Sequence, residues 1–126
     1  MNWLAVALGG AIGSIARYGL SLLIVPQAGK FPWATLVANM IGCFLMGVFY
    51  GLIVARQIWP GEMRPWLMVG LLGGLTTFSS FALESVVLWH GGFNTTAISY
   101  AASSVLLNFL LVGVGYFLVE HYFLIK

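Results

Sequence analysis

Charge is what this chain lacks. Only 6% of its 126 residues are charged, a share too small for a soluble domain with a single core, and the formal net charge of +2 gives no grounds for a nucleic-acid partner. Cysteine is almost absent as well. A single Cys43 excludes an internal disulfide and any multi-cysteine metal site, and is read as a small packing residue facing a neighbouring helix. Nowhere does the sequence set a nucleophile beside a base, cluster metal ligands, or form a glycine-rich phosphate loop, so an enzyme is not expected.

What fills the chain instead is apolar: 61% of residues are hydrophobic. Four blocks stand out, at residues 3–25, 33–55, 66–89 and 96–123. Each is long enough to cross a hydrocarbon core of about 30 Å as a helix. The links "PQAGKFP", "RQIWPGEMRP" and "HGGFN" hold turn formers and most of the formal charge. The first block lacks a basic leader and exceeds the usual apolar core of a signal peptide, so it is read as a helix. The expected fold is an all-α membrane protein: one four-helix transmembrane domain over residues 1–126, embedded in a lipid bilayer.

With four spans, both ends of the chain and the second link share one side of the membrane. That side carries Arg56, Arg64 and Lys126; the other carries Lys30, with Arg17 in the last third of the first span. Three basic residues against one or two is a small bias. It is compatible with insertion in both orientations, and so with an antiparallel dimer, as well as with a single weakly favoured orientation. Glycine pairs at four-residue spacing, Gly9/Gly13, Gly47/Gly51 and Gly70/Gly74, supply faces for close helix packing.

Polar residues inside spans are costly in lipid and must face protein or water. Asn39 begins a stripe that runs on through Cys43, Gly47 and Gly51, and Tyr100, Ser104 and Asn108 form a polar line at the same spacing in the fourth span. Arg17 and Glu84 are the two firmly intramembrane charges, which either pair with each other or let Arg17 reach the interface. The third span contains the least lipid-compatible stretch, "GGLTTFSSFALES" from Gly73. Adjacent glycines followed by hydroxyl residues weaken a helix, so a mid-membrane break is expected, with freed carbonyls buried in protein or coordinating an ion. Phe78 and Phe81 share a face just after it. They are either ordinary packing or, through the positive edges of their rings, a weak anion contact.

These residues resemble the Fluc (CrcB) family of small bacterial fluoride channels. The likeness runs end to end through "GGAIGSIARY" from Gly9, "ATLVANMIGCFLMG" from Ala34 and "GLLGGLTTFSSFALE" from Gly70. It implies a dual-topology antiparallel homodimer of four-helix subunits in the bacterial inner membrane, with two fluoride pores conferring fluoride resistance. It also implies a structural sodium ion at the dimer centre, held by the backbone carbonyls of Gly73 and Thr76. The same resemblance places Asn39, Thr77, Phe78, Ser80, Phe81, Tyr100, Ser104 and Asn108 along the fluoride pathway and gives Arg17 and Glu84 structural or electrostatic roles. Two positions depart from the pattern: Asn108 stands where serine or threonine is expected, and Val112 replaces a frequent hydroxyl one turn further on.

The competing reading is a small proton-coupled multidrug-type exporter, whose chemistry requires a carboxylate in the first helix. The first span has none, and Glu84 in the third is the sole firmly intramembrane carboxylate. The charge balance yields a direct expectation. A tag fused after Lys126 will label from both faces of the membrane in comparable amounts, whereas labelling from one face alone would contradict insertion in both orientations.

Overall fold

The computed structural model describes residues 2–125; Lys126, counted in the charge balance above, lies outside the described residues. Five helices build it: α1 (Asn2–Leu23), α2 (Trp33–Ala55), α3 (residues 65–75), α4 (Phe78–His90) and α5 (Asn94–Leu124). Because α3 and α4 are the two halves of one span (Pro65–His90), there are four membrane-spanning segments. Each lies within a few residues of the block expected from hydropathy. Exposed tryptophans stand towards both ends of the bundle, Trp3, Trp59 and Trp66 at one and Trp33 and Trp89 at the other, where amphipathic rings favour the membrane interfaces.

Two helix pairs carry the packing, α1 with α3 and α2 with α5, and glycine sets both. A β-carbon on Gly74 would lie 2.5 Å from the Gly10 carbonyl oxygen, and one on Gly70 would lie 2.8 Å from that of Val6. On Gly9 and Gly13 it would run into the Trp66 and Leu71 carbonyls. Gly47 lies against Val112 and Gly115 against Phe44 in the same way. Backbones therefore touch directly, which is how membrane helices gain dispersion energy where lipid removes the hydrophobic drive. Around these seams Ala38, Leu72 and Leu75 form one buried cluster, and Leu36, Leu88, Ala97 and Tyr100 another.

The break in the third span is present, but not at the glycines. Gly73 and Gly74 are helical, and the chain leaves the helix at Thr76 (φ −83°, ψ 153°) and Thr77 (φ −153°, ψ 115°). The threonines supply their own reasons to stop. Thr76 turns both its N–H and its hydroxyl onto the Leu72 carbonyl, at 2.9 and 2.8 Å. Thr77 caps the next helix, its Oγ1 accepting from the Ser80 N–H at 3.2 Å. Glycine here serves packing, and hydroxyl chemistry makes the break.

At the ends, Arg56 grips Glu120 on α5 through Nη2–Oε2 (2.7 Å) and Nε–Oε1 (2.9 Å), tying the second and fourth spans. At the opposite end the Phe93 ring lies directly over Gly29, whose φ of 72° favours glycine in any case. The packing predicts a contrast. Gly47→Ala, which would force its methyl into Val112, should destabilise the fold by about 1–3 kcal/mol, the range for overpacked sites. Gly113→Ala, whose methyl meets nothing within 4 Å, should be neutral or mildly stabilising. Thermal unfolding in detergent checks this, and equal stability of the two variants would contradict it.

Candidate functional site

Two residues in extended conformation cost the third span its hydrogen-bond ladder, and one side chain repairs part of the loss. Asn39 of α2, buried to 8% exposure, accepts from the Thr77 N–H through Oδ1 at 2.7 Å and donates from Nδ2 to the Thr77 carbonyl at 3.1 Å. This pair of bonds fixes which end of the Asn39 amide points where. In an unbroken helix the Thr77 N–H would reach the Gly73 carbonyl. Among the described residues, no hydrogen bond to the carbonyl oxygens of Gly73 or Thr76 bridges the break. Gly73 also faces open space on its Cα side, where an added methyl group would meet nothing within 4 Å.

The neighbouring carbonyl, Gly74, accepts from Arg17 Nε at 3.0 Å. Arg17 therefore neither pairs with Glu84 nor reaches for the interface: it places its cation at the negative end of the α3 dipole. Glu84 in turn accepts from Thr35 Oγ1 at 2.7 Å and Tyr100 OH at 2.6 Å, one donor on each oxygen. Both charges border a polar cavity of about 340 Å³, together with Ser14, Ser21, Thr77 and Ser80. Thr77 Oγ1 donates to Ser80 Oγ across 3.0 Å within that wall.

A second cavity, of about 170 Å³, opens between α2, α4 and α5, lined by Asn39, Phe78, Phe81, Ser104, Val105, Asn108 and Phe109. The Phe78 and Phe81 ring centroids are 5.4 Å apart, and the Phe81 ring meets Tyr100 edge-on at 5.3 Å. Two buried polar atoms, Ser104 Oγ and Asn108 Oδ1, have no partner. Both residues line this cavity.

The residues singled out from the sequence thus divide into two groups. Asn39, Phe78, Phe81, Ser104 and Asn108 border the smaller cavity; Arg17, Thr77, Ser80 and Glu84 border the larger. The Asn39–Thr77 pair stands where the two groups meet, and Tyr100 touches both through its ring and hydroxyl. Val112 lies outside both, its carbonyl packed on Gly47. Thr35, Ser14 and Ser21 were missed by the sequence reading, although Thr35 stands one turn before Asn39 on the same stripe. Ser14, Arg17 and Ser21 likewise share one face of α1 by their three- and four-residue spacing.

A multi-pass membrane protein built around a broken span, with one cavity walled by Arg17, Thr77, Ser80 and Glu84 and a more apolar one walled by Asn39, Phe78 and Phe81, is the class these features define. Residues 4–116 match the family model described as CrcB-like protein, Camphor Resistance (CrcB). The chain is 48% identical over 118 residues to the fluoride-specific ion channel FluC of Saccharophagus degradans, covering 94% of this chain and 89% of that protein. It is 45% identical over 116 residues to a protein so named from Thermus thermophilus (91% and 92% covered) and 43% over 114 residues to that of Paracoccus denitrificans (90% of each). The chain belongs to the CrcB-like family, as a multi-pass protein of the bacterial inner membrane.

The two sets of polar atoms predict opposite responses to truncation. Tyr100→Phe removes a donor to a carboxylate and should cost about 1.5–3 kcal/mol of stability. Ser104→Ala removes a buried hydroxyl that has no partner and should leave stability unchanged or higher. Chemical denaturation of the purified protein decides the matter; a loss in Ser104→Ala as large as that in Tyr100→Phe would contradict the assignment.

Proposed function

We propose that this chain forms a fluoride-selective passive channel, working as an antiparallel homodimer with a structural sodium ion at its centre. The observation that carries the reading is the small cavity in which two phenylalanine rings face bare, buried polar atoms. Fluoride is small and strongly hydrated, so a pore must replace its water with many weak donors and release it again. The Ser104 hydroxyl is one donor. Asn39 commits one Nδ2 hydrogen to Thr77 and has a second for the cavity. The Asn108 amide, free of partners at its oxygen, offers Nδ2 when turned over. The Phe78 and Phe81 ring edges add electropositive contact without holding the ion tightly. Arg17, on the wall of the larger cavity, raises the local anion concentration, while Glu84 is held by its two hydroxyl donors.

Dimerisation follows from the membrane. Among the described residues no hydrogen bond to the Gly73 or Thr76 carbonyl bridges the break, and Phe78 beside them is 78% exposed on the single subunit. Bare carbonyls at membrane depth need protein or an ion against them, and a second copy about a two-fold axis supplies both the cover and an equivalent pair of oxygens. Four carbonyl oxygens suit a hard cation such as sodium, which when bound would offset the field of the freed carbonyls. The weak charge bias between the ends and the tryptophans at both fit subunits inserted in opposite directions. In acid surroundings hydrogen fluoride enters through lipid and ionises inside; a passive pore then lets the anion leave down its gradient.

Isoleucine at Phe78 or Phe81 keeps apolar bulk and removes the ring edge. We expect fluoride efflux from liposomes to fall steeply in both variants while the dimer persists on size-exclusion chromatography; normal flux in both would return these rings to packing. Thr76→Ala should leave the cation site intact, because its backbone carbonyl remains. Gly73→Val, whose side chain points into open space on one subunit, should abolish the dimer while leaving the subunit helical. Loss of the cation in Thr76→Ala together with normal assembly of Gly73→Val would refute a carbonyl site.

A further inference from the structure

The Asn39 amide does two jobs that pull on different atoms. One Nδ2 hydrogen is available to the small cavity, while Oδ1 and the other hydrogen are bound to the backbone of Thr77. The Thr77 N–H is the group that an unbroken helix would give to the Gly73 carbonyl. From this geometry we infer that Asn39 is a positioning residue for the cation site: by capturing the Thr77 N–H, it keeps the Gly73 carbonyl free to coordinate. The inference rests on the sodium reading above and adds to it a physical link between the pore wall and the dimer centre.

Three features of the site support the assignment. The Asn39 contacts are buried and of good length, 2.7 and 3.1 Å, so they compete effectively with a backbone acceptor. Thr77 cannot be held extended by its own side chain, whose oxygen is occupied with the Ser80 N–H and hydroxyl. The carbonyls on either side of Gly73 are already taken, Leu72 by Thr76 and Gly74 by Arg17. With Asn39 removed, the nearest acceptor in the helical sense for Thr77 is Gly73, and the third span closes by one turn. Closing it withdraws an oxygen from the cation and also moves Phe78, the residue that follows.

The test measures how much sodium the dimer needs, a readout that does not depend on fluoride flux. Purified protein is titrated with sodium at constant ionic strength, with N-methyl-D-glucamine as the balancing cation, and the midpoint of thermal unfolding of the dimer is followed. Asn39→Leu excludes water and removes both contacts; it should raise the half-saturating sodium concentration by about tenfold or more, the scale of one net hydrogen bond. Asn39→Asp retains an oxygen for the Thr77 N–H and should stay within about threefold of wild type by the same measure, although its added charge impairs flux. Ser104→Ala, which alters the cavity without touching Thr77, should leave the sodium dependence unchanged. Wild-type sodium dependence in Asn39→Leu would overturn the inference while leaving the sodium site standing. A wild-type dimer indifferent to sodium would overturn both. Should Asn39→Leu fail to assemble at any sodium concentration, Asn39→Asp decides: a loss of about tenfold there, with the acceptor still present, overturns the role given to Asn39.

Discussion

Everything in this molecule answers to one constraint: a backbone interrupted in the middle of a membrane must have its freed polar groups satisfied by protein. Thr76 and Thr77 interrupt the third span, and the surroundings respond atom by atom. Asn39 takes the N–H and carbonyl of Thr77, Arg17 takes the carbonyl of Gly74, and among the described residues no hydrogen bond to the carbonyls of Gly73 and Thr76 bridges the break. A continuous helix would need none of these partners and would offer no place for an ion.

The glycine seams make that arrangement possible. Direct backbone contact between α1 and α3 carries Arg17 within 3.0 Å of the Gly74 carbonyl, and contact between α2 and α5 brings Asn39 to one side of a cavity whose other wall is Ser104 and Asn108. Larger residues at Gly13 or Gly47 would move each helix outward by the width of a methyl group, more than a hydrogen bond of about 3 Å tolerates. Packing and the placement of the polar groups around the break are therefore set by the same positions. The bare atoms of the small cavity run against stability, as functional sites commonly do, and the close seams elsewhere offset them.

Much of this was legible in the residues. Four spans followed from hydropathy alone, and the inward placement of Tyr100 and Ser104 followed from four-residue spacing. A break within Gly73 to Thr77 was readable in "GGLTTFSSF"; that it falls on the threonines of that stretch was not, because glycine's low helix propensity is overridden where two helices need backbone contact, as Gly74 and Gly10 do. Arg17 presented itself as a charge in search of an acid, and its partner is a carbonyl that an unbroken helix would give to the Phe78 N–H. No single-sequence rule anticipates that. Thr35 shows the reverse case: its place one turn before Asn39 was visible, yet nothing local indicated that Glu84, 49 residues away, would come to its hydroxyl.

The central claim is that the cavity beside the break passes fluoride, unaided and in preference to chloride. Liposomes containing the wild-type protein, loaded with equal concentrations of the two anions and followed with ion-selective electrodes at equal pH on both sides, test it most directly. The account predicts rapid loss of fluoride once a counter-ion path is opened with valinomycin, no need for a proton gradient, and retention of chloride over the same interval. Equal loss of both anions, retention of both, or fluoride movement only under an imposed proton gradient would contradict it.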